Sequence, residues 1–304
     1  ACGGSKGENS NASAAGTQNE TAIVQDESTD SNTDSTGSTT SLGQDNRVLQ
    51  IPDDNYRTYY ELFVYSFYDS DGDGIGDLQG VLEKLDYLND GDDTTDMDLG
   101  INGIWLMPVM PSVTYHKYDT TDYENIDPQY GTLETFQELL TACHDRGIRV
   151  ILDLAMNHSS SSHPWFQQAA EYLKSLPEGA EPDSSECPYV DYYHFSREYQ
   201  GGYAQLDGTA WYYEARFWDG MPDLNLENEA VRREFEQIAD FWLDMGVDGF
   251  RLDAVKEYVT GSTEGNVEIL SWFADYVHGK DPENYLVCEC WTDQNTYAKY
   301  YESG

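Results

Sequence analysis

Basic residues are scarce in this sequence. Its 304 residues include 16 Lys and Arg against 57 Asp and Glu, which gives a formal net charge of −41. A surface with this charge repels the phosphate backbone of nucleic acids and the headgroups of anionic lipids. The composition therefore argues against nucleic acid as a partner and against attachment to a membrane through a basic surface.

Cysteine and long apolar runs are also scarce. Five cysteines are too few for a disulfide framework in a chain of this length. Cys288 and Cys290 are two residues apart, which in a strand separates them by about 6.6 Å, too far for an unstrained disulfide. No apolar run approaches the roughly 18 residues of a membrane-spanning helix.

Aromatic residues are missing from residues 1–46, which consist mainly of Ser, Thr, Asn, Gly and Asp. Such a segment is predicted to be disordered. A Cys at its head, Cys2, resembles the start of a bacterial lipoprotein. That resemblance implies an extracellular protein held at the cell surface by an N-terminal lipid, and an ordinary free cysteine is the alternative.

From residue 47 onward, apolar strands alternate with amphipathic helices. Strand patterns occur at 59–67, 101–110, 148–158, 247–255 and 284–291. Thr132 is predicted to cap one helix, and Gly246 is predicted to end another. This alternation predicts an α/β fold with a parallel sheet.

Five such units fit an incomplete (β/α)8 TIM barrel, with about five of its eight units present. Residues 47–158 would form units one to three, residues 159–225 a small inserted domain after the third strand, and residues 226–304 units four and five. A doubly wound sheet is the alternative. It predicts a phosphate-binding glycine loop after the first strand, where this chain has four acidic residues instead.

Charged residues lie at the carboxyl ends of the predicted strands, where the active residues of barrels gather. Arg251 and Asp253 are two residues apart, so they share a face of their strand, and the Arg should keep the Asp ionised. Glu289 lies among apolar residues, which should raise its pKa. One ionised and one protonated carboxyl group is what glycoside hydrolysis requires. Separate structural ion pairs are the alternative.

Several motifs then identify a family. The segments DLAMNH (153–158), GFRLDAVK (249–256) and VCECW (287–291) resemble three segments of the α-amylase family of glycoside hydrolases. MPDLN (221–225) and HKYDTTDYENIDPQYGT (116–132) are similar to two further motifs of that family. The resemblance implies a retaining hydrolase on a TIM barrel.

The resemblance also implies roles for individual residues. Asp253 would be the nucleophile, and Glu289 the general acid and then the general base, with the two carboxyl groups about 5 Å apart. Tyr118 would stack under the reacting sugar and His158 would bind its hydroxyl groups. The full set of substrate-binding residues that the resemblance implies is Arg251, His158, Tyr118, Asp119, Asp153 and Lys256.

The stretch DSDGDGIGDLQG, Asp69 to Gly80, matches the ligand spacing of an EF-hand calcium loop up to its ninth position. Its twelfth position is Gly80 instead of a bidentate Glu, and a strand precedes it instead of a helix, so the pattern does not indicate a calcium sensor. The family resemblance implies a structural site for Ca²⁺, or Mg²⁺, and an acidic solvated turn is the alternative. The ligands would be Asp69, Asp71, Asp73, the Ile75 carbonyl group and Asp77.

The resemblance implies α-linked glucose polymers as substrates. MPDLN and DAVK look more like α-amylases than like strict oligo-1,6-glucosidases, so we expect a monomer that hydrolyses α-1,4 bonds in starch or malto-oligosaccharides. The alternatives are an α-glucosidase, an oligo-1,6-glucosidase or a transglycosylase of the same family, and a non-catalytic sugar-binding relative.

The sequence departs from the family pattern in two places. The family has a further Asp, preceded by His, at the end of its seventh strand, and the sequence ends before that strand. We therefore expect the sequence to be part of a longer enzyme and to be inactive alone. Glu257 stands where many calcium-dependent amylases have His, which puts the family calcium site that involves Asn157 in doubt.

Overall fold

The structure, a computed structural model, describes Leu49 and residues 56–303. The predicted tether over residues 1–46 and its Cys2 lie outside the described residues. No helix in the described part of the chain is long and apolar enough to cross a membrane.

Strands and helices alternate along the described chain. The strands are β1 (Tyr59–Leu62), β2 (Gly103–Leu106), β3 (Arg149–Leu154), β4 (Phe195–Ser196), β5 (Tyr203–Gln205), β6 (Tyr212–Glu214), β7 (Gly249–Leu252) and β8 (Tyr285–Cys288). The α-helices are α1 (Val64–Phe67), α2 (Leu78–Glu83), α3 (Leu85–Leu88), α4 (Leu133–His144), α5 (Pro164–Ser175), α6 (Glu229–Met245), α7 (Thr263–Lys280) and α8 (Gln294–Tyr297). As predicted, Thr132 caps α4 and Gly246 ends α6 in a left-handed conformation.

Five strands form one parallel sheet in the order β1-β2-β3-β7-β8. The registers bring the carboxyl ends of the strands to one edge, because Leu62 is aligned with Leu106 and Leu252 with Cys288. The three short strands β4, β5 and β6 form a separate antiparallel sheet. The parallel sheet of βα units that the apolar pattern predicts is confirmed.

One face of the parallel sheet is packed against the helices. Successive strand residues point to opposite faces, and the helix-facing positions Leu62, Ile104, Leu152 and Phe250 are at most 1% exposed. Burying each such side chain contributes about 1.5–3 kcal/mol to stability. This face is the core, and the opposite face is left for function.

The opposite face of the sheet is concave. The rings of Tyr59 on β1 and Tyr285 on β8 stack with centroids 5.2 Å apart, whereas a flat sheet would separate these two strands by about 19 Å. At Gly249 a Cβ atom would lie 1.9 Å from the Tyr285 carbonyl oxygen, so only glycine fits this close approach. The sheet therefore curves like the wall of a barrel, as the incomplete (β/α)8 fold requires.

The prediction of one strand over residues 59–67 is wrong. β1 ends at Leu62 because the acidic loop packs beside the following residues, where the Gly76 amide donates to the Tyr65 carbonyl oxygen at 2.7 Å. Gly76 and Gly80 permit this contact, since a Cβ atom on either would lie 2.0 Å from a carbonyl oxygen. The apolar helix pattern that follows is divided at Lys84 into α2 and α3.

Residues 159–225 leave the barrel between β3 and α6. They contain α5 and the antiparallel sheet β4-β6-β5. The sequence pattern did not indicate α5, because the small Ala169 and Ala170 occupy buried positions and His163 caps the first turn instead of Ser or Asp. The inserted segment after the third strand is confirmed, and its domain boundaries stay a prediction.

Candidate active site

Four charged residues meet on the concave face of the sheet. Asp153 on β3 is aligned with Arg251 on β7, which is aligned with Val287 on β8. Asp253 and Glu289 lie two residues beyond Arg251 and Val287, so their side chains point to the same face. The parallel register thus gathers three carboxyl groups and one guanidinium group at the carboxyl edge of the strands.

The Arg251 guanidinium contacts all three carboxyl groups. Its Nη1 lies 2.9 Å from both oxygens of Asp153 and 2.7 Å from Oδ1 of Asp253. Its Nη2 lies 2.9 Å from Oε2 of Glu289. Contact with one guanidinium group thus brings the Asp253 and Glu289 carboxyl groups to the same place, and a retaining glycosidase needs two neighbouring carboxyl groups.

The predicted protonation states of Asp253 and Glu289 are wrong in direction. Burial, together with the nearby Asp153 and Glu289 carboxylates, raises the pKa of Asp253 to about 7, although Arg251 opposes this shift. For Glu289, burial is outweighed by the hydrogen bond from Trp291 and by the charge of Arg251, so its pKa is lowered. The spacing of two residues pairs Arg251 with Asp253 alone, whereas in the structure Arg251 contacts three acids.

Of the three acids in contact with Arg251, Asp153 is the most deeply buried. Burial raises the pKa of Asp153 to about 6. Its Oδ2 accepts hydrogen bonds from Trp105 Nε1 at 3.1 Å and from the Tyr118 hydroxyl group at 3.0 Å. Asp153 therefore holds Arg251, Tyr118 and Trp105 in one network, which fits its predicted supporting position.

Aromatic and polar side chains line a cleft above this cluster. The cleft has a volume of about 360 Å³, in the range of small-molecule sites. Asp253 and Glu289 lie in it, and the remaining lining residues are His116, Tyr118, His158, Phe217, Trp218, Met221 and Arg251. A mostly apolar cleft with a few convergent acids suits a ligand with apolar faces and a hydroxyl rim.

His158 has a polar atom that lacks a partner. It is 1% exposed, and within the described residues its Nε2 makes no hydrogen bond. Burial lowers its pKa to about 4, so the ring is neutral near pH 7. An unpaired polar atom in the wall of a cleft is a position for a ligand hydroxyl group.

Three predicted binding residues lie outside the cleft lining, namely Asp153, which contacts Arg251 and Tyr118, and the two residues Asp119 and Lys256. Asp119 is buried and accepts hydrogen bonds from the hydroxyl groups of Ser112 and Thr114, so it braces the loop after β2. Lys256 is about half exposed and pairs with Glu257 at 3.3 Å. Their roles in sugar binding stay predictions.

The structure also brings residues to the site that the sequence argument did not name. Trp291 Nε1 donates to Glu289 Oε1 at 2.6 Å, and the Trp105 ring lies 4.9 Å from the Arg251 guanidinium carbon. Phe217 and Trp218 come from the inserted segment. Trp105 could have been picked out from the sequence, because it is a large ring in an otherwise aliphatic strand. Phe217 and Trp218 could not, because they lie in a segment without periodicity.

A buried lysine orients the loop that carries His116 and Tyr118. Lys117, between them, has a φ of 62° and is 1% exposed. Its Nζ lies 2.7 Å from Asp127 and 3.0 Å from Gln129. The left-handed turn sends Lys117 inward, so the rings on either side face the cleft.

The acidic loop places three carboxyl groups close together. Asp69, Asp71 and Asp77 each offer an oxygen within 4.8 Å of the others. Oxygens on opposite sides of one calcium ion are about 5 Å apart, so this set fits a hard cation. Asp73 is outside this group, and its Oδ1 accepts from the Ile75 amide at 2.8 Å. The five-ligand set stays a prediction.

The residues near Asn157 are already paired with one another. Asn157 Nδ2 lies 3.2 Å from Oδ1 of Asp223. Burial and the nearby Glu214 raise the pKa of Asp223 to about 8. Glu257, which replaces the His of many amylases, lies 3.5 Å from Arg216 Nε. Asp223 thus accepts a hydrogen bond from Asn157, and Glu257 pairs with Arg216, so the structure adds no support for a second calcium site at Asn157.

A curved parallel sheet with a group of charged residues at its carboxyl edge is the arrangement of a barrel enzyme. Residues 61–304 match the family described as "Alpha amylase, catalytic domain". The chain belongs to this family.

Named relatives include several activities. "Alpha-amylase 3" of Dictyoglomus thermophilum is 44% identical over 250 residues, which is 80% of this chain and 45% of that protein. "Oligo-1,6-glucosidase" of Parageobacillus thermoglucosidasius is 35% identical over 247 residues, which is 75% of this chain and 40% of that protein. The solved structure "Eubacterium rectale Amy13B" is 60% identical with a TM-score of 0.79, over 83% of this chain and 47% of that chain. The chain spans less than half the length of each.

The buried Lys117 pair yields a prediction about stability. Replacing Lys117 with Met leaves the Asp127 carboxylate buried without its cation, which should lower the free energy of unfolding by about 3 kcal/mol. Urea denaturation of the full chain measures this change. The control Lys174→Met, at an exposed position of α5, should change stability by less than about 0.5 kcal/mol. Equal effects of the two substitutions would contradict the role of the buried pair.

Proposed function

We propose that the protein that contains this chain hydrolyses α-1,4-glucosidic bonds in starch and malto-oligosaccharides with retention of configuration. The observation that carries the proposal is the contact of one guanidinium group with Asp153, Asp253 and Glu289 at the carboxyl edge of a barrel sheet. In this proposal Asp253 attacks the anomeric carbon, and Glu289 protonates the leaving oxygen and then deprotonates water. The cleft supports it, because aromatic rings and an unpaired imidazole nitrogen suit a sugar.

The proton of the pair must lie on Glu289 when the bond breaks. At a pH between their two pKa values, Asp253 and Glu289 together hold one proton. In the sugar-free site this proton lies mainly on Asp253, which has the higher pKa. We infer that a bound sugar moves it to Glu289. When a glycosidic oxygen displaces the Trp291 indole, Glu289 loses a hydrogen bond that stabilises its ionised form. Positive charge that develops on the sugar stabilises the ionised form of Asp253.

The proposed nucleophile can be tested with polymer substrates. Asp253→Asn should lower kcat on amylose at least about a thousandfold, because an amide cannot form the glycosyl ester. The control Asp207→Asn, at an exposed position of the inserted segment, should keep full activity. Unchanged activity of Asp253→Asn would refute the nucleophile.

Product analysis on amylose, pullulan and isomaltose separates the proposed activity from its alternatives. Shortened α-1,4 products from amylose support the proposal. Glucose from isomaltose with intact amylose would instead identify the oligo-1,6-glucosidase alternative, and longer products would identify a transglycosylase. Sugar binding without any product would identify a non-catalytic relative.

The hydrogen bond from Trp291 yields a prediction about pH. Activity needs one proton on the pair, so the acid limb of the kcat/KM profile follows Glu289 and the alkaline limb follows Asp253, near pH 7. Trp291→Phe removes a bond that lowers the pKa of Glu289, so the acid limb should move to higher pH by up to about one unit.

The matched control is Trp272→Phe, which removes an indole hydrogen bond to Glu236 on the outer helices. Its profile should coincide with that of the parent enzyme. An acid limb that stays in place or moves to lower pH in Trp291→Phe would contradict the assignment of that limb to Glu289.

We propose further that the acidic loop binds a calcium ion, or magnesium in its place. Asp69, Asp71 and Asp77 would supply carboxylate oxygens, and the ion would neutralise their mutual repulsion. Asp77 also caps α2 by accepting from the Gly80 amide at 2.6 Å. The ion would thus stabilise the connection between β1 and the first helices, and it would take no part in bond cleavage.

The calcium proposal predicts a ligand-dependent change in stability. Calcium at about a hundred times its Kd should stabilise the parent protein by about 2.7 kcal/mol, with a higher Tm than in chelator. Asp71→Ala should lose most of this gain, because it removes an oxygen ligand. If the three clustered carboxylates hold the ion, Asp73→Ala should keep it. The same Tm with calcium and with chelator in the parent protein would refute the metal site.

A further inference from the structure

Trp218 is an exposed indole in the inserted segment, within the exposed run 216–219. It is 44% exposed, whereas Ala215 before it and Met221 after it are at most 8% exposed. Its neighbour Phe217 is also exposed and lies edge-on against the His158 ring, with centroids 5.1 Å apart. Two adjacent large rings left open to solvent mark a binding surface more often than a packing defect.

The backbone presents Trp218 rigidly. The Met221 amide donates to the Trp218 carbonyl oxygen at 2.9 Å, which closes a tight turn. The Tyr213 hydroxyl group donates to the Asp219 carbonyl oxygen at 2.6 Å, and the Ser161 amide donates to that of Gly220 at 2.8 Å. Carbonyl groups at three successive residues of the turn are thus held by hydrogen bonds, so the indole starts from a fixed backbone.

A glycine under the ring sets the orientation of the indole. A Cβ atom at Gly220 would lie 2.0 Å from the Cη2 atom of Trp218. The indole therefore lies flat over the Gly220 backbone, and its opposite face is open. A flat aromatic surface with one covered and one open face is suited to stacking against the apolar face of a pyranose ring.

The position of the turn relates Trp218 to the reacting groups. Trp218 lines the same cleft as Asp253 and Glu289, and Tyr118 and His158 lie in that lining too. Tyr118 bonds to Asp153 in the Arg251 network, so it belongs to the position of the reacting ring. Trp218 makes no such contact with the carboxylates in the described structure, and it is therefore available to a different ring of the same chain.

We propose that Trp218 is a stacking residue for a second glucose ring of a malto-oligosaccharide, outside the position of the reacting ring. The inference rests on the proposed function and adds a binding position to it. It makes the turn from Trp218 to Met221 a determinant of chain-length preference.

Binding measurements test this assignment without the need for turnover. In the full-length protein that contains this chain, with Asp253→Asn, calorimetry gives the Kd of maltotetraose and of methyl α-glucoside, a single ring. Trp218→Ala should weaken maltotetraose binding about tenfold, the scale of one aromatic contact, and leave the Kd of methyl α-glucoside within about twofold. Trp218→Phe, which keeps a ring, should weaken maltotetraose less than Trp218→Ala.

Two further variants complete the test. Gly220→Ala displaces the indole without removing it and should selectively weaken maltotetraose. Tyr199→Ala removes an exposed ring of the same segment that does not line the cleft and should change neither Kd. Equal maltotetraose binding by Trp218→Ala and its parent would overturn the assignment while the proposed function stands. A parent that binds neither sugar would overturn both.

Discussion

The candidate site depends on one guanidinium group placed among three carboxyl groups. Arg251 is 6% exposed and within 3 Å of Asp153, Asp253 and Glu289. Without it, three acids from three neighbouring strands would face one another at low dielectric, where like charges repel strongly. With it, their mutual repulsion is reduced, while burial still raises the pKa of Asp253 to about 7, so one of the carboxyl groups keeps a proton up to about neutral pH. The strand register brings these acids together, and the ion pairs with Arg251 hold them there.

Much of the fold could be predicted because its signals are local. The alternation of apolar strands and amphipathic helices, the Thr132 cap and the Gly246 end are set by residues close in sequence, and the structure has all of them. The same holds for the shared face of Arg251 and Asp253, which follows from a spacing of two. The length of the strand that begins at Tyr59 could not be predicted. It ends early because the acidic loop packs back onto the following residues through Gly76.

The electrostatics of the site could not be predicted from neighbours in sequence. The pKa of Glu289 depends on a guanidinium group shared across strands, and the pKa of Asp253 depends on Asp153, which is 100 positions away. Trp218 lines the cleft but belongs to a segment without periodicity, so no sequence pattern indicated its position. The family motifs named the acids, whereas the balance of charge among them is a property of the three-dimensional contacts.

The central claim is that Asp253, held by Arg251, attacks the sugar and forms a covalent intermediate. The most direct measurement is mass spectrometry of peptides from the full-length enzyme after reaction with a slow fluorinated α-glucosyl fluoride. One glucosyl group is expected on the peptide that contains Asp253, and none in Asp253→Asn. A label on another residue, or an inverted product with no labelled peptide, would contradict it.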